Sequence, residues 1–278
     1  MISVIIPTCN RISELSHCIS KINEAASRAS ESIELIVTDD SKLNDTEVYV
    51  LRNFSQVIYV RGPQKGPASN RNNGAAKASG EWLLFLDDDC IPDQDLVKAY
   101  QLAIKQYPAI EVFEGAIRTD REKNSPIEHA PLNITGGNLW SCNFLIKRQL
   151  FLSLKGFDEK FRFPHLEDVD FRERLKQAGT VIQFVPNAFV LHPWRSIRDG
   201  IKLGKYQEMA VYFANKWNKN IQLKQLLIAI TQTHYGMAKG HFLSKHIFIA
   251  IKIWLEHMFV VIFKFQSWKL FYERKFKT

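Results

Sequence analysis

The chain reads as an α/β protein: a mostly parallel sheet flanked by helices, followed by a basic helical extension. Three observations predict this. Short apolar runs bounded by turn residues alternate with segments of helical periodicity through the first half. The apolar runs end in polar or acidic clusters, as strands do at the ligand-binding edge of an open sheet. The charge then changes sign along the chain. Up to Ile197 there are 23 Lys+Arg against 25 Asp+Glu, a balance of −2, and from Arg198 onward 14 against 4, a balance of +10. That shift predicts a module boundary, with one domain over residues 1–197 and a basic amphipathic extension over 198–278.

Ile2, Val4, Ile5 and Ile6 form the first strand, which stops at Pro7-Thr8. Ile12, Leu15, Ile19 and Ile22 follow at helical spacing, with Asn10 as the expected N-cap. Ile33 to Thr38 is a second strand ending in Asp39-Asp40-Ser41, and Val57 to Val60 is a third. Gly66-Pro67 opens a helix rich in small residues. Trp82 to Leu86, five consecutive apolar residues, read as a strand buried on both faces. Asp87, Asp88 and Asp89 sit at its tip, and Pro92 is expected to stop it. Adjacent acids repel unless a cation lies among them, and hard oxygen ligands suit Mg²⁺ or Mn²⁺. Neither G-x-G-x-x-G nor G-x-x-x-x-G-K-[ST] follows the first strand, which disfavours dinucleotide and P-loop sites. Phosphates would then be neutralised by a metal and by cations such as Arg71.

Further along, Glu111 to Ile117 is a strand and Arg118 to Pro131 a charged loop. Gly136 and Gly137 allow close backbone approach to a ligand. Phe144 to Ile146 resume an apolar run before a short helix over Lys147 to Leu154. A helix starts at Glu167-Asp168-Val169-Asp170, where acids suit the positive end of the dipole. Val181 to Val185 and Phe189 to Leu191 are two short runs, the second ending at His192. Four cysteines without a C-x-x-C pair, and a strand where a leader peptide would lie, predict free thiols in a reducing cytosol. Cys90 reads as a packing residue.

Four stretches carry a resemblance: Val4-Ile5-Ile6-Pro7-Thr8, Ile36-Val37-Thr38-Asp39-Asp40-Ser41, Gly66 to Asn72 and Phe85-Leu86-Asp87-Asp88-Asp89. In order and spacing they resemble family 2 glycosyltransferases of the GT-A fold, over roughly residues 1 to 195. The resemblance implies an inverting transferase. It moves a sugar from a nucleotide diphosphate, most often UDP, to a hydroxyl of a glycan or lipid-linked glycan in cell-surface polysaccharide synthesis. It implies Pro7, Thr8, Asp39, Arg71, Asp87 and Asp88 as nucleotide-binding residues. Asp87 and Asp89, the DxD acids, would bind Mn²⁺ or Mg²⁺ with His192 as third ligand. Gly136, Gly137, Asn138 and Glu167 would lie near donor sugar and acceptor, and Asp168 would be the general base. Asp170 would instead cap or pair with Arg174. The family's Val-Asp-Asp-Gly-Ser is here Thr38-Asp39-Asp40-Ser41, which lacks the glycine and leads into an insert over Lys42 to Asp45. A same-fold alternative is a nucleotidyltransferase, and one from another class is a non-enzymatic, membrane-docked nucleotide-binding scaffold.

In the extension, Arg198 to Trp217 and Ile221 to Gly236 have helical apolar spacing. Phe242 to Phe265 is more apolar, but Lys245, Lys252, Glu256 and Lys264 break it below the length of a spanning helix. Trp254, Trp268 and Phe271 among Lys264, Lys269, Arg274, Lys275 and Lys277 predict attachment to an anionic membrane surface, peripheral at the inner face. Packing in a homo-oligomer is the rival for these helices. Nucleic acid is not an expected partner, because no groove-reading motif is present.

Overall fold

The computed structural model describes residues 1–124, 128–196 and 200–218, with positions 248, 251, 254, 255, 258 and 262. The helix expected over Ile221 to Gly236, and the cations from Lys264 onward, lie outside the described residues. In chain order the first elements are β1 (Ile2–Thr8), α1 (Ile12–Ser27), β2 (Ile33–Asp39), α2 (Asp45–Asn53), β3 (Ile58–Arg61) and α3 (Pro67–Lys77). There follow β4 (Trp82–Leu86), β5 (Ile91–Pro92), α4 (Leu96–Gln106), β6 (Val112–Thr119) and β7 (Glu128–His129). The rest are β8 (Asn143–Lys147), α5 (Arg148–Ser153), α6 (Glu167–Gln177), β9 (Ile182–His192), β10 (Arg195–Ser196) and α7 (Gly200–Lys216).

Eight strands form one sheet in the order β3-β2-β1-β4-β8-β6-β9-β5. β1 pairs in parallel with β2 and β4, and β2 with β3. The crossovers α1, α2 and α3 make this half of the sheet a series of parallel units. β8 then inserts antiparallel between β4 and β6. Alternate residues of the central strands face opposite cores, as the two-residue period of a strand requires. Val4, Ile6, Leu84 and Leu86 pack with Leu15, Ile19 and Ile22 of α1 and Val97 of α4. On the other face Phe85, Phe144, Phe151, Phe157 and Phe171 stack with ring centroids 5.0–6.2 Å apart. This aromatic cluster seats α5 and α6, and so fixes where the acids at the start of α6 point.

Several expectations change in the folded chain. Asn10 does not cap α1. The cap position is Arg11, and Asn10 adopts φ 56°, with its N–H donating to Ser41 Oγ at 2.7 Å. Asn tolerates that left-handed turn better than most residues. β4 ends at Leu86, ahead of the acids and not at Pro92, and Ile91-Pro92 rejoin the sheet as its edge strand, antiparallel to β9. At an edge the missing proline N–H removes no ladder bond. The two runs before His192 are one strand whose register slips opposite Gly115/Ala116, leaving residues 186–188 as extra length. The insert after Asp40 leads into α2. The charged stretch after Arg118 includes β7, which pairs with β10.

The chain divides into two compact units. One comprises Met1–Arg121, Ala130–Arg162 and Glu167–Pro193, and holds the whole eight-stranded sheet. The other gathers Glu122–His129, Phe163–Leu166 and Trp194–Thr278. Within it β7 and β10 form a two-stranded ribbon, and α7 buries Met209, Val211, Phe213 and Ala214. Phe248, Ile251, Trp254, Leu255, Met258 and Ile262 are each helical and exposed. Among the described residues no helix is long and apolar enough to cross a membrane.

Candidate active site

The tips of β1, β2 and β4 lie side by side, because Thr8 pairs with Asp39 and β4 pairs along β1. Asp39 is fully buried. Its Oδ1 accepts the Ser41 N–H at 2.8 Å and its Oδ2 accepts the Tyr59 hydroxyl at 2.8 Å. The side chain thus builds the turn for which the resemblance expects a glycine, by bonding backbone two residues on. Asp40 accepts the N–H groups of Gln64 (2.8 Å) and Gly66 (3.2 Å), which ties the β3–α3 loop to this edge. Gly66 is obligatory there: φ is +103°, and a Cβ would come within 2.1 Å of Arg162 O. Pro7 and Thr8 are buried on β1, and Thr8 donates its hydroxyl to Asp88 Oδ2 at 2.8 Å.

The three strand-end acids divide among Arg71, Arg11 and His192, with Arg11 reaching two of them. Asp87 accepts from Arg71 Nη2 at 2.6 Å. Asp88 receives Thr8 and Arg11 Nη1 (2.9 Å), yet burial still raises its pKa. Asp89 lies 3.5 Å from Arg11 Nη1, and its Oδ1 faces His192 Nε2 at 3.6 Å. His192 is buried on β9, and burial lowers its pKa, which keeps the imidazole neutral. Its Nδ1 lies 2.8 Å from Pro193 O. A carbonyl can only accept, so Nδ1 carries the proton and Nε2 presents its lone pair toward Asp89. That is the orientation a metal-binding histidine needs. Among the described residues Asp89, Cys90 and His192 form a group able to hold a cation. Cys90 donates its S–H to Cys142 O at 3.7 Å, and contact with Cys142 together with burial raises its pKa well above the usual thiol value. It stays a thiol, so Asp89 and His192 are the donors that fit Mn²⁺ or Mg²⁺. Asp87 is not in that group; its oxygen is engaged by Arg71.

Arg71 joins the two acidic motifs. It is 3% exposed and also reaches Glu167 Oε1 at 3.1 Å. Its guanidinium lies 5.8 Å from the Phe157 ring centroid. The expected phosphate-binding cation is therefore a buried bridge between Asp87 and the start of α6. Glu167, buried beside Asp168, has its pKa pushed up to about 7 by desolvation and then by that neighbour. Burial also raises Asp168, against the pull of Arg71 and of N–H bonds from Ser141 (3.3 Å) and Val169 (2.8 Å). Asp170 points elsewhere: it pairs with Arg174 at 3.0 Å, one helical turn on.

Gly136, Gly137 and Asn138 form a loop against α6. Gly136 (φ +84°) has no room for a Cβ, which would meet Phe184 at 2.9 Å, whereas nothing lies within 4 Å of one built on Gly137. Arg11, Tyr59, Glu114 and Arg172 belong to none of the sequence motifs. Two of these leave a sequence signal: Arg11 is a cation just past an acid-facing strand tip, and Glu114 is an acid within an apolar strand.

An open sheet with acids at its strand tips and a second acidic pair on a facing helix suits a nucleoside-diphosphate ligand. The chain matches the family model for glycosyl transferase family 2 over residues 3–163. An uncharacterized glycosyltransferase of Haemophilus influenzae is 29% identical over 191 residues, covering 64% of this chain and 62% of the relative. A GalNAc(5)-diNAcBac-PP-undecaprenol beta-1,3-glucosyltransferase of Campylobacter jejuni is 37% identical over 93 residues, 32% of this chain and 29% of the relative. The chain thus spans less than two thirds of these relatives' lengths. The crystal structure of Staphylococcus aureus TarS 1-349 superposes with a TM-score of 0.55 at 14% identity, over 97% of this chain and 91% of the other, which speaks for a shared GT-A fold. With the family model covering more than half the chain and each of its strand-tip motifs folded to one sheet edge, the chain belongs to glycosyl transferase family 2.

Proposed function

We propose that the chain is a metal-dependent, inverting glycosyltransferase that moves a sugar from a UDP-sugar to a hydroxyl of a glycan or lipid-linked glycan. The observation that carries this reading is the Arg71 bridge, which holds Asp87 of the strand tip and Glu167 of α6 on one guanidinium. Donor-binding and acceptor-activating groups are thereby kept in one site. Pro7, Thr8, Asp39 and Asp88 line the nucleoside side, and Gly136, Gly137, Asn138 and Glu167 the sugar side. Asp89 and His192 would hold the cation, which supplies charge neutralisation of the leaving diphosphate. Asp168 accepts the acceptor's proton as its oxygen attacks the anomeric carbon. The bond from that carbon to the diphosphate oxygen breaks, and its electron pair leaves with UDP. One in-line displacement inverts the anomeric centre. Burial raises the Asp168 pKa, which strengthens it as a base.

The acceptor side has support from the tail. Phe248, Ile251, Leu255, Met258 and Ile262 recur every three or four residues, the spacing of one helical face, and all are exposed. With the +10 balance of residues 198–278 they suit an anionic membrane surface. The Campylobacter relative's name states an undecaprenol-linked acceptor, which would reside in a membrane.

The test is hydrolysis of a panel of UDP-sugars with and without Mn²⁺, alongside Asp168→Asn. The reading expects cation-dependent release of UDP, and a loss of about 10²- to 10⁴-fold in the variant with UDP binding retained. Undiminished turnover by Asp168→Asn would remove Asp168 as base. A scaffold would release no UDP at all.

A further inference from the structure

The loop beside Asp168 is gripped from two sides by residues that belong to neither acidic motif. Glu114 on β6 is 2% exposed. It accepts the N–H groups of Gly137, Asn138 (3.1 Å) and Leu139 (2.8 Å), and the side-chain amide of Asn133 (3.1 Å). Four donors on two oxygens approach the full accepting capacity of a carboxylate. Asn133 extends the grip by accepting the Gly136 N–H at 3.0 Å. From the other side Arg172 Nη1 donates to Gly137 O at 2.9 Å and Asn138 O at 3.1 Å. Arg172 stands one helical turn after Asp168, so both side chains leave the same face of α6. The loop then donates the Ser141 N–H to Asp168 Oδ2 at 3.3 Å.

The inward N–H groups and the carbonyls of residues 137–138 are thus both consumed by the protein. The outward surface at Gly137 stays bare, since its φ of +95° favours glycine and no atom lies within 4 Å of the Cβ position. This is a rigid, smooth backbone wall fixed to the helix that carries the proposed base.

We propose that Glu114 and Arg172 are positioning residues that clamp the Gly136–Ser141 segment onto α6, aligning Asp168 and the surface against which the attacking oxygen is placed. The inference rests on the reading of Asp168 as general base. A carboxylate and a guanidinium suit the task because charge-assisted bonds hold several backbone groups in one geometry, and preorganisation of a reacting group depends on such supporting contacts.

Two variants test it. Glu114→Gln keeps the shape but turns an amide NH₂ toward backbone N–H donors. Arg172→Lys keeps the cation but loses the two-carbonyl grip and leaves the buried Glu114 network intact. The readouts are kcat for UDP-sugar hydrolysis with MnCl₂, where water is the acceptor, and Kd for UDP by calorimetry. The expected result is a fall in kcat of about tenfold or more in each variant, with UDP Kd within about twofold of the wild type. If Glu114→Gln does not fold, Arg172→Lys carries the test. Wild-type kcat in Arg172→Lys, or a loss of UDP affinity matching the loss of kcat, overturns the inference. Asp168→Asn separates the two levels. If it hydrolyses like the wild type, the base reading fails. If it is inactive while Arg172→Lys is fully active, that reading stands and the clamp fails. No turnover by the wild type across the panel removes both.

Discussion

Replacing Arg71 by Met removes one charge from the centre of the site while keeping an apolar stem of similar length. Arg71 is almost fully buried and contacts Asp87 at 2.6 Å and Glu167 at 3.1 Å. Without it, Asp87, Glu167 and Asp168 lose their shared cation. Breaking a buried ion pair on one side costs about 3–5 kcal/mol. For a domain of this size each kcal/mol lowers Tm by about 2–4 °C, so the melt should fall by about 10 °C near pH 8. The penalty must depend on pH. Glu167 already has a pKa of about 7, and losing Arg71 raises it further. Between about pH 7 and pH 8 the wild type has lost that proton and the variant keeps it, which relieves the variant by roughly 1.4 kcal/mol per pH unit on acidification. Thermal melts at about pH 8 and about pH 6 therefore show a smaller gap at the lower pH. A drop of less than about 2 °C near pH 8, or an equal drop at both values, would refute the idea that Arg71 neutralises this cluster.

Asp89→Ala and His192→Ala each remove one of the two donors that fit the cation; both should abolish Mn²⁺-stimulated UDP-sugar hydrolysis and weaken UDP binding in Mn²⁺, and full stimulation in either would place the cation elsewhere. Glu167 has a folded pKa of about 7 against an ordinary 4.5, so its contribution to stability is full below about pH 4.5 and is lost as pH rises through 7. Glu167→Gln should flatten the pH dependence of Tm over that window, by about 3 kcal/mol in free-energy terms, and an unchanged slope would reassign the titration. Removal of residues 242–278 should abolish co-sedimentation with vesicles containing anionic lipid while UDP affinity stays near that of the full chain. Full-length protein that stays in the supernatant at low salt would defeat membrane docking, and a truncated chain of altered oligomeric state would favour packing between copies.

The long strands, most of the helices and the acid-tipped edge were legible in the amino-acid order alone. They depend on local periodicity and on turn residues, which act within a few positions. The five apolar residues before Asp87, and the Gly66-Pro67 start of α3, needed no tertiary information. α2 and α4 escaped because the short apolar runs around them dominated the pattern. Asn10 escaped as a cap because its backbone serves a contact with Ser41, 31 residues away. The division of labour among the acids was likewise decided only by folding. Asp87, Asp88 and Asp89 are equivalent as a string, but they lie in the turn after β4, which points them toward Arg71, Arg11 and His192 respectively. Those partners lie on α3, just before α1, and on β9. Arg71 reads as a phosphate-neutralising cation in sequence and becomes a buried bridge because the aromatic cluster seats α6 beside α3. Glu114 shows the same limit: a lone acid in a strand is visible in sequence, while the loop N–H groups that hold it, 23 to 25 residues further on, exist only once the sheet has formed.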